Sequence, residues 1–375
     1  MTPLICLLFA ILRNSVTSIG QSSTSTVASQ AQLSGHDLSA IQRNAESGDV
    51  GAQLDVAKAY AEGNGLPKNS ALAATWFRKA AEQGNADAQD NLGVMYSAGD
   101  GVERDKAEGL RWYRKAACQS YPHAMFHLGT AYYNGDAVEI SDSSAYAWFL
   151  LAKLAGDQSA VEAVSRAETD LKPDVILKGL VEIAKLYDDG QILPQSQAEA
   201  TRWWLLAAQR GNLEAKLTVA SRYLGGKGVQ QDFGQARHWC NEASKEDPSD
   251  KQSDPRAAYC LGLIYQRGWG VEKDFKAARQ WYERSASAGH APAAKKLALM
   301  YANGDGGKQD RVKASLILVG LARHDDKEAL ASLLELKKQM DKKEWEALRV
   351  QLQARHIDTS RIPSLFTTHP DPALH

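Results

Sequence analysis

The sequence predicts an all-α protein, an α-solenoid built from about seven copies of one helix-turn-helix unit of 36 residues. Three observations predict it. A tyrosine recurs along the chain, a glycine follows each tyrosine three residues later, and a tryptophan stands sixteen residues after every tyrosine but the last. Self-similarity at a period of this size is typical of stacked helical hairpins, because one hairpin cannot bury its apolar face alone. The tyrosines are Tyr60, Tyr96, Tyr132, Tyr187, Tyr223, Tyr265 and Tyr301.

The first helix of each unit is predicted from its apolar spacing. Ala88, Leu92 and Tyr96 form one stripe at helical spacing. The residue three positions before each tyrosine is always glycine or alanine, which predicts that a neighbouring helix approaches closely there. The glycine after the tyrosine predicts the left-handed residue that ends the helix. These glycines are Gly63, Gly99, Gly135, Gly190, Gly226, Gly268 and Gly304.

The second helix is predicted to start nine residues after the tyrosine, at a residue whose side chain can accept a backbone N–H of the first turn. The seven capping residues are Asn69, Asp105, Ser141, Ser196, Asp232, Asp274 and Asp310. Three copies have the sequence of a reciprocal capping box: Asp105 with Glu108, Ser196 with Glu199, and Asp232 with Gln235. The tryptophans keep a strict period, with Ile317 in the last copy, and are predicted to lie in the core between helices.

The repeat has a recognisable pattern. The motif A-x3-LG-x2-Y-x2-G-x-GV-x2-D-x-KA-x4-WY-x-KAA in residues 88–117 resembles the Sel-one-like repeat, a cousin of the tetratricopeptide repeat. The resemblance covers roughly residues 37–328. It implies a right-handed superhelix whose first helices line the concave face, and a role in scaffolding protein complexes, commonly in bacterial envelopes or secretory compartments.

The repeats are expected to continue, with caps, over most of the chain. A capping helix is expected at 37–51 and a helical C-terminal cap at 329–356, since terminal repeats need a polar outer face. A disordered tail is expected at 357–375. The repeats are placed at 52–87, 88–123, 124–159, 179–214, 215–256, 257–292 and 293–328, with an insertion at 160–178.

The N-terminus is expected to be a signal peptide. Residues 1–20 contain a nine-residue apolar run from Leu4 to Leu12, which is too short to span a bilayer and about right for a secretory signal. Export to a bacterial periplasm or envelope, or secretion, is therefore expected. Since no Lys or Arg precedes the run, an unprocessed N-terminus on a cytoplasmic protein is the alternative. Residues 21–36 are rich in Ser, Thr and Gln and are expected to be a flexible linker.

The sequence offers little catalytic or ligand-binding chemistry. The net charge of −1 argues against nucleic acid as the main partner. No nucleophile elbow, zinc-protease or phosphate-loop motif is present, so neither catalytic residues nor a cofactor are expected. His123 and His127 stand at i, i+4 on a helix, but two ligands are too few to predict a metal site, and positions on a variable face are the preferred interpretation.

The cysteines leave two interpretations open. Without Cys6 the chain has Cys118, Cys240 and Cys260, an odd number. Cys240 and Cys260 lie on consecutive helices and could form a disulfide. Buried, unpaired thiols are the preferred interpretation, since free cysteine is often buried.

The candidate binding surface is taken from outward positions on the first helices, two before, one after and two after each tyrosine. Exposed Tyr, Asn and Arg are the types enriched at binding hot spots or adaptable contacts. The candidate residues at these positions are Lys58, Glu62, Thr130, Tyr133, Asn134, Lys185, Asp188, Asp189, Ser221, Gln266, Arg267 and Asn303. Tyr259, six positions before its tyrosine, is added to them.

The leading hypothesis is a non-enzymatic adaptor that binds a peptide or protein segment along the concave face. A cell-wall or polysaccharide-binding protein is the first alternative, although it needs exposed aromatic residues where the tryptophans are expected in the core. An envelope hydrolase is the second, and the sequence shows no nucleophile and base for it.

Overall fold

The computed structural model describes residues 35–245, 254–360, 362 and 365. The expected signal peptide and the linker up to residue 34 lie outside the described residues. In the described part of the chain every regular element is an α-helix, and there are 18 of them. The chain divides into two compact units, residues 1–210 and 211–375. The expected all-α solenoid is confirmed.

The helices of the first unit follow the repeat. Each helix packs against the next from α1 to α8, which is how a solenoid is built; α9 then packs on α7 and on α10. The helices are α1 Gly35–Glu46, α2 Val50–Glu62, α3 Ser70–Glu82, α4 Ala86–Ala98, α5 Lys106–Cys118, α6 Pro122–Asn134, α7 Asp142–Ala155, α8 Ser159–Asp170, α9 Pro173–Asp189 and α10 Gln197–Gln209.

The second unit continues the same pattern. Consecutive helices again pack on each other from α11 to α17, and α18 packs on α16. The helices are α11 Leu213–Gly225, α12 Phe233–Ser244, α13 Pro255–Arg267, α14 Phe275–Ser287, α15 Ala291–Asn303, α16 Arg311–Ala322, α17 Lys327–Gln339 and α18 Lys342–Ala354.

A backbone hydrogen bond closes the loop in every hairpin. In the second repeat the N–H of Asp105 donates to the carbonyl of Tyr96 at 2.9 Å, and the same bond forms in all seven repeats. Gly99 ends α4 with φ of 79°, in the left-handed region, and the six equivalent glycines do the same. The glycine therefore ends the first helix at the predicted position, and the backbone carbonyl of the tyrosine, not its side chain, closes the loop.

All seven predicted caps are present. Each capping side chain accepts a backbone N–H from the first turn of its helix. None of the three predicted capping boxes is closed, because the side chains of Glu108, Glu199 and Gln235 do not bond back to the backbone of the capping residue. The Glu108 carboxylate pairs with Arg111 one turn further on, and Glu199 pairs with Arg202 in the same way. A guanidinium thus draws the carboxylate along the helix, away from the cap. A complete box forms at Asp341 and Glu344, where α18 starts.

The tryptophans lie mainly in the core, as predicted. Trp112, Trp148, Trp203 and Trp239 are buried, whereas Trp76 and Trp281 are half-buried. Lysine side chains cover part of the ring in two repeats, with Lys115 Nζ 3.6 Å from the centre of the Trp112 ring and Lys79 Nζ 3.8 Å from that of Trp76. Alanine is the most frequent residue at the remaining core positions.

Buried glutamines link successive repeats of the first unit. Gln89 Nε2 donates to the carbonyl of Ala81, and Gln119 Nε2 donates to Gln89 Oε1 at 2.9 Å. Gln53 and Gln83 are bonded to each other in the same way one repeat earlier, at 2.8 Å. These bonds satisfy amide groups that would otherwise be costly to bury.

The insertion in the first unit forms helix α8. Asp157 Oδ1 accepts the N–H of Ala160, so α8 is capped as a first helix would be. The chain then leaves α8 and enters α9 at Pro173, and α9 is the first helix of the next repeat. Because α9 packs on α7 directly, the insertion adds a helix beside the array without interrupting it.

A disulfide and a packed C-terminal segment complete the second unit. Cys240 on α12 and Cys260 on α13 form a disulfide, so the preference for unpaired thiols was wrong for this pair. Cys118 is the free cysteine among the described residues, and it is exposed. The tail expected to be disordered from residue 357 is packed at Ile362 and Leu365, which are buried against the end of the array. Lys337 Nζ donates to the carbonyl of Leu365 at 2.7 Å.

Candidate binding surface

Five of the predicted binding residues are held in contacts within the fold. Lys58 Nζ pairs with Asp87 Oδ2 on the next first helix at 2.6 Å. Asp188 Oδ2 accepts the Trp204 Nε1–H at 2.8 Å, and Lys185 lies over the same indole ring. Thr130 donates to the carbonyl of Phe126, one turn back on the same helix. Gln266 Oε1 accepts the hydroxyl of Tyr282, on the second helix of the same hairpin.

The remaining predicted residues lie on the surface and fall into three groups. Tyr133 borders a groove in the first unit, and Tyr259 and Asn303 border a groove in the second. The others are exposed but line neither groove: Glu62, Asn134, Asp189, Ser221 and Arg267.

The groove of the first unit, called here the α8 groove, lies where α6, α7 and α8 meet. It has a volume of about 530 Å³. Its apolar lining comes from all three helices: Phe126, Tyr133, Ala145, Tyr146, Phe149, Ala163, Ala167 and Leu171. Its polar lining is Asp142, Ser159, Glu162, Arg166 and Asp170.

Close packing at Gly129 sets the aromatic side of the α8 groove. A Cβ at Gly129 would lie 2.6 Å from Cδ1 of Phe149, so the ring is pressed against the backbone of α6. Phe149 also contacts Phe126, with ring centres 5.4 Å apart. Tyr146 is buried below them, and burial raises the pKa of its phenol to about 12. Its hydroxyl donates to Glu168 on α8 at 3.3 Å, which ties α8 to α7.

Tyr133 is the most exposed aromatic side chain at this groove. It lies on the last turn of α6 with 62% of its surface exposed, although it is a large side chain with an apolar ring. Sequence reasoning found Tyr133 from its position after the repeating tyrosine. It missed the α8 side of the groove, because α8 has no counterpart in the repeat; the interruption of the period at residue 160 was the available signal.

The groove of the second unit, called here the α15 groove, lies mainly between α15 and α17. It has a volume of about 550 Å³, and Tyr259, Leu299 and Asn303 belong to its lining. Lys295 on α15 forms ion pairs with Asp326 and Glu328, at the start of α17. The Lys295 ammonium at this groove is therefore already paired with carboxylates of the same unit.

The two histidines considered as metal ligands face different carboxylates. His127 Nδ1 lies 2.9 Å from Asp90 Oδ1 on α4, and His123 Nδ1 lies 2.7 Å from Asp157 Oδ2 before α8. Each therefore joins α6 to a different neighbour. In the described residues no cluster of three or more His, Cys, Asp or Glu side chains could hold a metal ion.

Within the described part of the chain, no helix is both long enough and apolar enough to cross a bilayer. The exposed groups at the two grooves are aromatic, aliphatic, charged and neutral polar side chains. Such an arrangement can hold a ligand by packing and charge.

The helical pairs and their caps define a helical repeat protein of the solenoid class. Comparison with protein families identifies the repeat: the model of the Sel1 repeat matches at 50–85, 86–121, 122–157, 178–212, 214–248, 255–290 and 291–314. The chain therefore belongs to the Sel1 repeat family. Proteins of this family are generally protein–protein interaction scaffolds. A comparison with curated proteins found no match.

Solved structures of bacterial Sel1-type proteins are similar to this chain. The c5321 protein of uropathogenic Escherichia coli, described as a protective antigen with an SLR fold, is 26% identical, with a TM-score of 0.45 over 95% of this chain and 73% of that one. A Sel1 repeat protein from Oxalobacter formigenes is 28% identical, with a TM-score of 0.39 over 82% and 83% of the two chains. A putative Sel1 repeat protein from Klebsiella pneumoniae is 20% identical, with a TM-score of 0.25 over 54% and 90%.

Proposed function

We propose that this protein is a non-enzymatic scaffold that binds a segment of another protein, and that it works outside the cytoplasm. The observation that carries the proposal is Tyr133, a largely exposed aromatic side chain beside a groove with an apolar lining. Exposed tyrosine beside an apolar depression is typical of binding hot spots, because it buries a large area on binding at a low cost in conformational entropy.

The lining of the α8 groove favours a protein segment over a polysaccharide. Three alanines, Leu171 and two phenylalanine rings make the greater part of its surface apolar, and the polar groups are mostly charged. Sugars are bound largely through hydrogen bonds to their many hydroxyls, and of the five polar side chains in this lining Glu162 and Arg166 are already bonded to each other. An apolar side chain flanked by polar backbone fits it better. Recognition of helical or extended segments by such grooves is a common mode of peptide binding.

The lining of the α8 groove disfavours a hydrolase site there. The acidic groups that line the α8 groove have one cationic neighbour, Arg166, which pairs with Glu162 at 3.1 Å. Its hydroxyl groups are those of Tyr133, Tyr146 and Ser159, and no histidine lines it. A nucleophile with a general base in hydrogen-bond reach would be needed for covalent hydrolysis.

The disulfide supports export. Structural disulfides persist in oxidising compartments and are rare in the cytosol. The bond between Cys240 and Cys260, together with the apolar run of residues 4–12 in the sequence, fits a secreted or periplasmic protein. N-terminal sequencing of the chain purified from the host, after separating cytoplasm from envelope and medium, would test this. We expect Gln21 as the first residue; an intact Met1 in the cytoplasmic fraction would rule export out.

A site-specific crosslink tests the scaffold function. A photoreactive phenylalanine analogue placed at position 133 should crosslink the chain to a partner protein in the host, whereas the same analogue at Ile140 should not. Ile140 is a suitable control because it is in the same hairpin, is 69% exposed and does not line the groove.

A second variant decides whether the groove itself is used. Ala163→Trp places a large side chain in the groove, and Ser165→Trp places it elsewhere on α8. Crosslinking through position 133 should be lost in the first and kept in the second. Crosslinks to glycan alone, or equal crosslinking at positions 133 and 140, would contradict the proposal.

A further inference from the structure

We propose that the α8 groove selects protein segments in which an aromatic or branched aliphatic side chain stands close to a lysine or arginine. This inference rests on the proposed scaffold function, because it names the chemical class of the partner for the same surface. It follows from two properties of the groove: its apolar depth and the charge around it.

The depth of the groove selects the apolar side chain. Ala145 on α7 and Ala163 and Ala167 on α8 leave space between the helices, since their side chains end at Cβ. Phe126 and Phe149 form the α6–α7 side of that space. A partner side chain of the size of Leu, Ile or Phe would replace water there and gain the free energy of apolar burial. Tyr133 would then cover it from the α6 side.

The charge around the groove selects the basic neighbour. Three carboxylates line it, those of Asp142, Glu162 and Asp170, against one guanidinium, that of Arg166. Because Arg166 pairs with Glu162, the remaining negative charge lies on Asp142 and Asp170, both of which are exposed. The chain as a whole is close to neutral, so this excess is local. A lysine or arginine on the partner would meet complementary charge, and an acidic partner would be repelled.

The same charges argue against a partner segment that carries an acidic side chain beside the groove. Arg166 is available to a partner carboxylate only if its pairing with Glu162 is lost, and both of these side chains are largely exposed. A partner acid would in addition meet Asp142 and Asp170 without compensation. The hydroxyl of Tyr146, which could donate to an anion, is already bonded to Glu168.

Selection from a random peptide library tests the proposal. The probe is a phage-displayed library of random dodecapeptides, selected on the immobilised full chain. We expect enrichment of sequences with Phe, Leu, Ile, Tyr or Trp within three positions of Lys or Arg. A synthetic peptide with the consensus should bind Ala163→Trp about tenfold more weakly than wild type, and Ser165→Trp as wild type does.

Charge is tested separately in the same binding assay. Asp142→Asn with Asp170→Asn should weaken the consensus peptide about threefold to tenfold and reduce the dependence of its affinity on salt. The matched control is Glu139→Gln, an exposed carboxylate in the same unit that does not line the groove. A consensus peptide whose affinity is unchanged in the Asn double variant would overturn the charge argument.

Three other outcomes of the peptide selection would count against the proposal. Selection of acidic peptides, selection of peptides that bind Ala163→Trp as well as wild type, or no enrichment at all would overturn the proposal. If the crosslink at position 133 still identifies a protein partner while the selected peptides lack basic residues, the scaffold function stands and the basic partner class fails. If the groove instead binds glycan and Ala163→Trp abolishes that binding, both the scaffold function and the basic partner class are wrong.

Discussion

A Cβ atom at Gly262 would lie 2.5 Å from Cε1 of Tyr282, so helices α13 and α14 touch through a residue that has no side chain. The tyrosine ring is completely buried, and its hydroxyl donates to Gln266 Oε1, one turn along α13 from the glycine. The ring is therefore held from both ends. The same contact recurs in the first unit, between Gly129 and Phe149.

Gly262→Ala is predicted to destabilise the second unit by about 1–3 kcal/mol, the range typical of overpacking in a well-packed core. Alanine has the better helix propensity by about 1 kcal/mol, but the clash with a ring that is hydrogen-bonded in place outweighs that gain. Urea unfolding followed by circular dichroism would measure the change in the free energy of unfolding.

Gly320→Ala is the matched control. Gly320 also lies inside a helix of the second unit, α16, and a Cβ there would meet no atom within 4 Å. This variant is expected to gain up to about 1 kcal/mol from helix propensity alone. If both variants shifted the midpoint in the same direction, the close approach at Gly262 would have no energetic importance.

Trp112→Ala is predicted to cost about 3–5 kcal/mol, because it removes a large side chain from the core of the first unit. Trp112 is 4% exposed and packs in a cluster with Ala88, Leu92 and Met95 of the preceding helix α4. Trp76→Ala, where the indole is only half-buried, should cost distinctly less. Thermal unfolding would compare the two variants. Equal melting temperatures would show that the repeating tryptophan position is not a core position.

Loss of the disulfide is predicted to destabilise the second unit by up to about 3 kcal/mol, as the loop-entropy treatment of disulfides gives for a short loop. Cys240 and Cys260 are separated by 20 positions and join α12 to α13. Addition of a reductant should therefore lower the melting temperature of the wild type and leave that of Cys240→Ser with Cys260→Ser unchanged. A wild-type chain that melts identically with and without reductant would contradict this.

Most of the fold could be predicted from the sequence because each repeat has its own local signals. The capping residue, the glycine and the small residue before the tyrosine act within one hairpin, so their period alone locates them. Asp105 caps α5 and Gly99 ends α4 where the pattern puts them. The part-buried bond between Gln89 and Gln119 joins two repeats, and no local sequence rule predicts it.

The binding surface was harder to predict because its residues are defined by neighbours rather than by period. Lys58 occupies the outward position that suggested a partner contact, yet Asp87 of the next helix pairs with it. Ala163 and Ala167 form one side of the α8 groove although they belong to an insertion without repeat phase. The disulfide depended in the same way on how closely α12 and α13 approach, which two cysteines in a sequence cannot show.

The stability of the second unit is predicted to fall as the pH is lowered below about 6.5, the usual pKa of histidine. His290 precedes α15, with its Nδ1 atom buried and its ring centre 4.9 Å from that of Tyr259. Burial lowers the pKa of His290; nearby Asp254 opposes the shift, and Arg256 adds to it. In acid the unfolded chain therefore binds the proton first, so the free energy of unfolding declines as the pH drops from about 6.5 towards the lowered pKa.

The His290→Gln variant isolates that contribution. The difference in the free energy of unfolding between pH 7.5 and pH 5.5 should be smaller in this variant than in the wild type, because glutamine does not titrate. His324→Gln, at an exposed histidine of the same unit, serves as the control and should keep the wild-type difference. Urea unfolding at the two pH values gives both numbers. If the His290→Gln variant lost as much stability in acid as the wild type, other groups would have to account for the acid sensitivity.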